Sequence, residues 1–246
     1  PHRWSAASIN EEHQFLFDLN EQGIPAVAPI RRDGQSTLLK NGMIFSFFPK
    51  ALGRMPQEFQ SHDLRQIGRQ LAKLHNVGAA KKAIHRPSLD VESFGLDLLE
   101  DWVVPEVWDR YEEAAIQILE SLEDRVEPES FIRIHGDCHK GNILQTDPRD
   151  GGASEYFFVD FDDFINGLPV QDFWMLFSSD ETGHGEELSE FLKGYEELRL
   201  FDDSHLELMG PLRGLRIIYY AAWIARRWSD PSFPKIFPEF RNYLYW

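Results

Sequence analysis

The residues best suited to chemistry lie in one polar segment, His135-Gly136-Asp137-Cys138-His139-Lys140-Gly141-Asn142. A second polar group, Asp160-Phe161-Asp162-Asp163, lies further along the chain. Each group directly follows a short apolar run whose composition predicts a β-strand. Polar residues at the end of a strand project into a loop, and loops on a rigid scaffold often carry catalytic groups. Both groups are therefore candidates for one active site.

The spacing of three of these residues indicates phosphoryl transfer. Asp137 and Asn142 are five residues apart, and Asp160 follows the apolar run at residues 156–159. A kinase catalytic loop places a base Asp before a metal-binding Asn in this way, and a second metal-binding Asp follows a later strand. A carboxylate at Asp137 can accept a hydroxyl proton, whereas Asn142 and Asp160 offer the hard oxygen ligands that Mg²⁺ prefers. The pattern predicts chemistry on a magnesium nucleotide rather than on zinc.

Composition and charge exclude several classes of protein. With 25 Lys and Arg against 41 Asp and Glu, the chain has a formal net charge of −16, which disfavours binding to nucleic acid. A hydrophobic content of 42% is enough for a folded core. No apolar run is long enough to cross a membrane, and the single Cys138 cannot form an internal disulfide. These features predict a cytoplasmic protein that binds neither nucleic acid nor a membrane.

Hydrophobic periodicity and turn residues predict the elements that hold the candidate site. Helices are predicted from Ser5 or Ser8 to Leu19 and over residues 64–75, 105–125, 170–177, 186–198 and 204–228. Strands are predicted at residues 37–39 and 43–48, separated by Asn41-Gly42, and at residues 131–134, 143–144 and 156–159. Ser8-Ile9-Asn10-Glu11 matches a capping box at the start of the first helix. The aromatic, proline-containing tail after Ser229 is expected to be irregular.

This arrangement predicts an α+β fold rather than a doubly wound parallel sheet. Residues 1–48 form a small domain of one helix and a hairpin, and residues 49–246 form a mostly helical domain with a few inserted strands. The connector near residues 49–56 contains two prolines and a glycine, which is typical of a boundary between two parts of a chain.

The motif His-Gly-Asp-x-His-x-x-Asn, followed by an apolar strand and Asp-Phe-Asp, resembles the aminoglycoside phosphotransferase and choline kinase superfamily of protein-kinase-like enzymes. The resemblance extends from Pro1 to about Asn242. The blocks at residues 170–176 and 226–231 are similar to a branch of cytoplasmic bacterial serine/threonine kinases that are built like the small-molecule kinases. The resemblance implies a protein-kinase-like bilobal fold and an ATP-dependent enzyme that phosphorylates Ser or Thr of a protein. We also expect the protein to be a monomer.

The resemblance implies a role for each matching residue in phosphoryl transfer. Asp137 would be the catalytic base, and Asn142 and Asp160 would bind Mg²⁺, Asp160 also being counted among the catalytic residues. Asp162 would be a supporting carboxylate, and Asp172 would be a structural acid under the catalytic loop.

The nucleotide side of the site would involve the first domain. Glu12 would pair with the lysine that binds the nucleotide, and Phe47 and Phe48 would lie at the hinge whose backbone meets adenine. The family's phosphate-covering loop and that lysine do not occur in this sequence. We expect them before Pro1, which makes the N-terminal lobe of this chain incomplete.

Glu12 provides an independent check on this expectation. On a helical wheel it shares a face with Ile9, Leu16 and Leu19. A carboxylate in an apolar stripe is costly unless a cation meets it, and no Lys or Arg lies one turn away. The partner must therefore come from elsewhere, and a lysine on a strand before Pro1 would serve. The alternative is a solvated Glu12.

Simpler interpretations remain open for several residues. Asp137 can be an ordinary turn residue, and His135, Asp137, Cys138 and His139 can be read together as metal ligands of a hydrolase. His135 fits a structural role in which its ring bonds backbone carbonyls. His139 either contacts the γ-phosphate or braces the loop, and Cys138 is either redox-sensitive or packed inward.

Two other functions compete with a protein kinase. The same catalytic motif serves small-molecule kinases that act on an amino alcohol, a sugar or an aminoglycoside. A pseudokinase-like binding module is the third hypothesis, and the missing N-terminal strands would favour it.

Overall fold

The computed structural model describes residues 3–91, 95–123, 125–146, 155–177 and 184–246. The chain divides into two compact units, one made of Pro1–Leu89 and Pro128–Asp202, the other of Asp90–Glu127 and Asp203–Trp246. Every residue predicted to belong to the active site lies in the first unit. The domain boundary at residue 48 stays a prediction.

The described residues form helices, short strands and several 3-10 turns. The helices are α1 (Ala6–Glu21), α2 (Ser61–Ala79), α3 (Leu96–Leu99), α4 (Pro105–Glu123), α5 (His184–Glu196), α6 (Met209–Arg226) and α7 (Phe233–Ile236). The strands are β1 (Leu38–Lys40), β2 (Met43–Phe45), β3 (Ile132–Ile134), β4 (Ile143–Gln145), β5 (Tyr156–Phe158) and β6 (Ile165–Gly167). The 3-10 turns are Pro128–Ser130, Lys140–Asn142, Phe161–Asp163, Pro169–Asp172, Trp174–Leu176 and Asp203–Leu208.

The strands pair as separate two-stranded antiparallel sheets, which confirms the predicted α+β class. β1 pairs with β2, β3 with β6, and β4 with β5. The predicted hairpin around Asn41-Gly42 is correct, and both residues have positive φ there, as a tight hairpin turn requires. Strand β6 was not predicted, because Ile165-Asn166-Gly167 is too short and too polar to show an alternating pattern.

Of the two predicted starts of the first helix, Ser5 is correct and the capping box at Ser8 is wrong, and one predicted α-helix does not form. Helix α1 begins after Ser5, whose side chain accepts the Ser8 N–H, while the Ser8 hydroxyl donates to the His85 carbonyl instead of capping. The helix predicted at residues 170–177 is two 3-10 turns. Val170, Phe173 and Leu176 are all fully buried, and their spacing of three residues matches the three residues per turn of a 3-10 helix.

The core of the first unit lies between α2 and α5. A Cβ at Gly68 would lie 2.2 Å from the Phe191 carbonyl oxygen, so only glycine allows the two helices to approach this closely. Aromatic rings of Phe173, Phe191 and Tyr195 pack together beside them, with centroids 4.9 Å to 6.0 Å apart. This packing gives the candidate site a rigid support.

In the second unit α4 packs against α6, and α6 also contacts α3. Four large aromatic side chains close its core, and these are Trp102, Trp228, Phe240 and Trp246. The tail after Ser229 is irregular apart from α7, and its aromatic side chains join this cluster. Across the described residues, no helix has both the length and the apolarity needed to span a bilayer.

Candidate active site

Antiparallel pairing brings the predicted site residues to neighbouring strand ends. Asn142 directly precedes β4 and Asp160 lies two residues after β5, and Ile143 pairs with Phe158. The Val159 N–H donates to the Asn142 carbonyl at 2.9 Å, so the ladder continues to the residue before Asp160. The start of one strand and the end of its partner must meet in such a pair. Asn142 and Asp160 are therefore neighbours in space although they are far apart in sequence.

Asp137 and Asn142 are bonded directly to each other. The Asn142 Nδ2 group donates to the Asp137 carbonyl oxygen at 2.9 Å and to the Asp137 Oδ2 at 3.3 Å. Asn142 is buried, and the Asp137 side chain is 19% exposed. Since the Asn142 Nδ2 group donates to Asp137, the Oδ1 atom on the other side of the amide can serve as an oxygen ligand.

Asp172 holds the backbone that leads to Asp137. It is fully buried, and its carboxylate accepts the His135 N–H and the Gly136 N–H at 2.8 Å each. Its Oδ2 also accepts from His75 Nε2 at 3.1 Å. This geometry agrees with the role of a structural acid under the loop, and the sequence did not reveal that His75 is its partner.

The hydrogen bonds around His75 continue from α2 to α5. His75 is fully buried, and burial lowers the pKa of its imidazole. A neutral ring that donates from Nε2 to Asp172 must accept at Nδ1, where the Tyr195 hydroxyl lies 2.8 Å away. Tyr195 in turn accepts from Arg199. The carboxylate under the loop is thus fixed by a chain of buried groups.

His135 and Gly136 fix the loop against the end of β5. His135 Nε2 donates to the Val159 carbonyl at 2.9 Å, and its Nδ1 accepts the Asp137 N–H at 3.3 Å. The expected structural role of His135 is confirmed. Gly136 has φ +80°, and a Cβ there would lie 2.3 Å from the Asp163 carbonyl oxygen. Only glycine fits this position, where the loop and the turn after β5 nearly touch.

Asp160 occupies a left-handed backbone conformation, with φ +62°. Aspartate is one of the few residues that adopt this region without large strain. Its side chain is exposed, and the described residues provide no hydrogen bond or ion pair to its carboxylate. Asp162 and Asp163, which follow it, both form ion pairs with Arg3.

Glu12 is buried on α1, and its ion-pair partner is Arg86. The predicted need for a cation from outside the apolar stripe is confirmed, but the cation is an arginine of this chain rather than a lysine before Pro1. Burial raises the pKa of Glu12 to about 7, and the charges of Asp162 and Asp160 act in the same direction, whereas Arg86 lowers it. The role of Glu12 toward a nucleotide lysine stays a prediction.

Cys138 and His139 have structural environments in this loop. Cys138 is fully buried, which confirms the inward packing, and burial raises the pKa of its thiol well above the usual value. His139 caps the turn Lys140–Asn142, because its Nδ1 accepts the Gly141 N–H at 2.9 Å. Its Nε2 lies 3.6 Å from the Asp137 Oδ2. His139 therefore braces the loop.

Phe47 and Phe48, the residues predicted at the hinge, lie just after β2 and are exposed. Phe47 is 61% and Phe48 46% exposed, and Phe48 meets the edge of the His13 ring. The Ile30 N–H donates to the Phe47 carbonyl at 2.7 Å. Neither ring is part of the core, so both are accessible to a ligand.

The donor set suits a hard divalent cation. It consists of one amide oxygen at Asn142 and one carboxylate at Asp160, with further negative charge from Glu12 and Asp162 nearby. Among the described residues, no group of three His, Cys, Asp or Glu side chains is arranged to hold a metal ion by itself. Magnesium commonly keeps water and substrate phosphates as its other ligands, so these residues fit Mg²⁺ bound together with a nucleotide.

Known proteins similar to this chain are phosphotransferases. The model of the phosphotransferase enzyme family matches residues 1–209. Stress response kinase A of Escherichia coli (strain K12) is 37% identical over 254 residues, which covers 100% of this chain and 75% of that protein. Serine/threonine protein kinase RdoA of Salmonella typhimurium is 34% identical over 252 residues, with the same coverage.

Solved structures of small-molecule kinases share the fold. Amicoumacin kinase hAmiN, in complex with AMP-PNP, Ca²⁺ and Ami, has a TM-score of 0.74 at 20% identity and covers 97% of this chain and 77% of that chain. A microcompartment-associated aminopropanol kinase has a TM-score of 0.73 at 20% identity and covers 97% of this chain and 79% of that chain. The predicted protein-kinase-like fold is confirmed.

Proposed function

Because this chain belongs to the phosphotransferase enzyme family and is a phosphotransferase, we propose that it transfers the γ-phosphoryl group of ATP to a Ser or Thr hydroxyl of a protein. The observation that carries the proposal is the meeting of Asp137, Asn142 and Asp160 at neighbouring strand ends. The serine/threonine protein kinase among the relatives supports a protein acceptor.

Asp137 is the proposed catalytic base. Its carboxylate would accept the proton of the attacking hydroxyl, and the Asn142 amide, which donates to the Asp137 Oδ2, would keep that carboxylate in one orientation. His135 and Asp172 would act indirectly by fixing the loop backbone.

Asn142 and Asp160 are the proposed ligands of Mg²⁺. When bound there with ATP, the ion would neutralise negative charge on the phosphates during transfer. Phe47 and Phe48 would lie at the hinge whose backbone meets the adenine, and Glu12 would contribute to nucleotide binding from α1. The exposure of both phenylalanine rings supports this assignment.

The proposed base is tested by Asp137→Asn in the native protein. We expect kcat to fall by about 10²- to 10⁴-fold, since that is the usual contribution of a positioned base. The KM for ATP should change little, because Asp137 is not a proposed nucleotide contact. Asp109→Asn is the matched control, because Asp109 is an exposed aspartate on α4. An Asp137→Asn variant that keeps the wild-type rate would make the base assignment wrong.

A small-molecule acceptor is the second candidate. The solved structures that share the fold include an aminopropanol kinase and an amicoumacin kinase, and the net charge of −16 suits a cationic substrate. Transfer of labelled phosphate from ATP should be compared between a mixture of unfolded proteins and a panel of amino alcohols, sugars and aminoglycosides. Labelling at Ser or Thr of protein supports the proposal. Labelling confined to the small compounds supports the second candidate.

A further inference from the structure

Arg86 is a buried arginine that joins helix α1 to the turn after β5. Its side chain is 0% exposed. Along the sequence, Arg86 follows α2 and precedes Ser88, which forms a β-bridge with Asn166. A guanidinium keeps its charge even when it is buried, so its N–H groups need acceptors. The identity of those acceptors indicates what Arg86 holds together.

The acceptors of Arg86 belong to two different elements. On α1, Nη2 donates to the Glu12 carboxylate and Nε donates to the Ser8 carbonyl at 3.1 Å. On the turn after β5, Nη1 donates to the Asp162 carbonyl at 2.5 Å. One planar group thus bonds helix α1 and the turn that begins at Asp160.

Aromatic rings enclose the same guanidinium. Its Cζ lies 4.2 Å from the centroid of the Trp4 ring and 4.8 Å from that of Phe164. Cation–π contacts of this kind are strongest where water is excluded. The rings and the planar fork of donors restrict Arg86 to one orientation. Its position therefore sets the separation between α1 and the backbone of Asp162.

The charges around Arg86 require a cation at this place. Glu12 faces the negative charges of Asp160 and Asp162, and both raise the pKa of Glu12, whereas Arg86 lowers it. Arg3 pairs with the carboxylates of Asp162 and Asp163, whereas Arg86 is the cation paired with Glu12. Without Arg86, the Glu12 carboxylate would face the charges of Asp160 and Asp162 across the gap between α1 and the turn without its own cation. Arg86 offsets this repulsion while it bonds both sides.

We propose that Arg86 is a positioning residue for Asp160. It holds the turn after β5 against α1 and thereby keeps the Asp160 carboxylate where a divalent cation binds. The inference rests on the proposed function, in which Asp160 is a metal ligand. It identifies a residue that touches neither the nucleotide nor the metal but determines how well the metal ligand is placed.

Arg133 is a matched control for Arg86. It is also buried, it also bonds α1 through Asp18 at 2.8 Å, and its guanidinium lies over the Phe15 ring. Its other hydrogen bond goes to the Val77 carbonyl on α2. Arg133 thus ties α1 to α2, whereas Arg86 ties α1 to the turn that carries Asp160.

The first test compares Arg86→Lys with Arg133→Lys by amide hydrogen exchange in metal-free native protein. A single ammonium keeps the charge facing Glu12 but lacks the planar fork that bonds Glu12 and the Asp162 carbonyl together. We expect exchange over residues 159–163 to be about fivefold or more faster in Arg86→Lys, because the turn opens locally more often. Arg133→Lys should leave exchange over these residues unchanged.

The second test measures Mn²⁺ binding in the presence of ADP by electron paramagnetic resonance. Loss of a group that orients a metal ligand weakens affinity about 10- to 100-fold, so the Kd for Mn²⁺ should rise in Arg86→Lys and not in Arg133→Lys. Arg86→Gln replaces Arg86→Lys if the lysine variant does not fold. Equal changes in the Arg86 and Arg133 variants would overturn the proposal. Hydrogen exchange needs no acceptor, so a failure to phosphorylate protein would refute the proposed function alone.

Discussion

Two parts of the first unit differ in how their side chains are covered. The loop support, which consists of His75, His135, Gly136 and Asp172, is buried, and its two histidines and its aspartate are 0% exposed. The hairpin segment, residues 38–55, exposes large apolar side chains, with Leu39 72% exposed, Phe47 61% and Leu52 76%. The proposed base is thus fixed by hydrogen bonds within the chain. The residues proposed to meet the nucleotide lie on a surface that a ligand can cover.

The largest expected effect comes from the loop support. Asp172→Ala removes the acceptor of the His135 and Gly136 N–H groups and of His75. Removing one partner of a buried charged network costs about 3–5 kcal/mol, since the remaining polar groups are left unpaired. The free energy of unfolding should fall by this amount in urea denaturation, and phosphotransfer should be lost.

The control for Asp172 is an aspartate with purely local bonds. Asp230 accepts hydrogen bonds from the N–H and hydroxyl of Ser232, two residues away, and is exposed. Asp230→Ala should leave the free energy of unfolding nearly unchanged, because the side chain is exposed. If both alanine variants lost the same stability, the loop support would not be a distinct buried network.

The attachment of the hairpin segment to α1 should depend on pH through His13. Its Nδ1 lies 2.7 Å from the Ser36 hydroxyl oxygen, and its ring meets Phe48. Burial, together with the charge of Arg86, lowers the pKa of His13 to about 4. The unfolded chain then binds the proton first, so this contribution is complete above about pH 6.5 and is lost as the pH falls toward 4. The loss is at most about 3 kcal/mol.

His13→Gln isolates that contribution, because glutamine does not titrate. The difference in unfolding free energy between wild type and His13→Gln should shrink as the pH falls from 7 to 5. Glu12, whose pKa burial raises to about 7, acts with the opposite sign, because its stabilising contribution is lost as the pH rises from about 4.5 to 7. Because Glu12 is present in both proteins, its contribution cancels in the difference between their unfolding free energies. A pH-independent difference would show that His13 titrates normally.

The smallest effect on stability is expected in the hairpin segment itself. Phe47→Ser replaces an exposed ring and should change the free energy of unfolding by less than about 0.5 kcal/mol. If the ring lies beside adenine, the KM for ATP should rise severalfold in the same variant. Leu39→Ser alters another largely exposed apolar residue, on β1, and should change neither quantity. A rise in KM in both variants would indicate a general effect of the hairpin segment on nucleotide binding.

The spacing within the polar segments predicted three residues that the structure does bring together, because short strands that pair locally place them at neighbouring strand ends. Asp137, Asn142 and Asp160 each lie within three residues of a strand end. The 3-10 turns at residues 169–176 were predicted as a helix, since buried residues three apart also fit one face of a helix. Only the tertiary structure decides between the two.

The sequence did not reveal which residues form ion pairs or hydrogen bonds with partners far along the chain. Glu12 and Arg86 are 74 residues apart, and His75 and Asp172 are 97 residues apart. The need for a cation at Glu12 followed from its apolar neighbours, but nothing in the sequence distinguishes Arg86 from the other arginines. His75 lies on the apolar face of α2 and has no motif around it. Such pairs depend on how helices and loops pack, which local patterns do not encode.

Asp172 bonds main-chain N–H groups of the loop rather than its side chains. Every residue except proline has a main-chain N–H, so these hydrogen bonds do not depend on the side chains of the residues that come later in the loop. During evolution, positions in the loop such as Lys140 can change identity while the backbone leading to Asp137 keeps its path. The same backbone support can therefore serve enzymes that differ in the acceptor they select, and new specificity can arise without rebuilding the support of the proposed base.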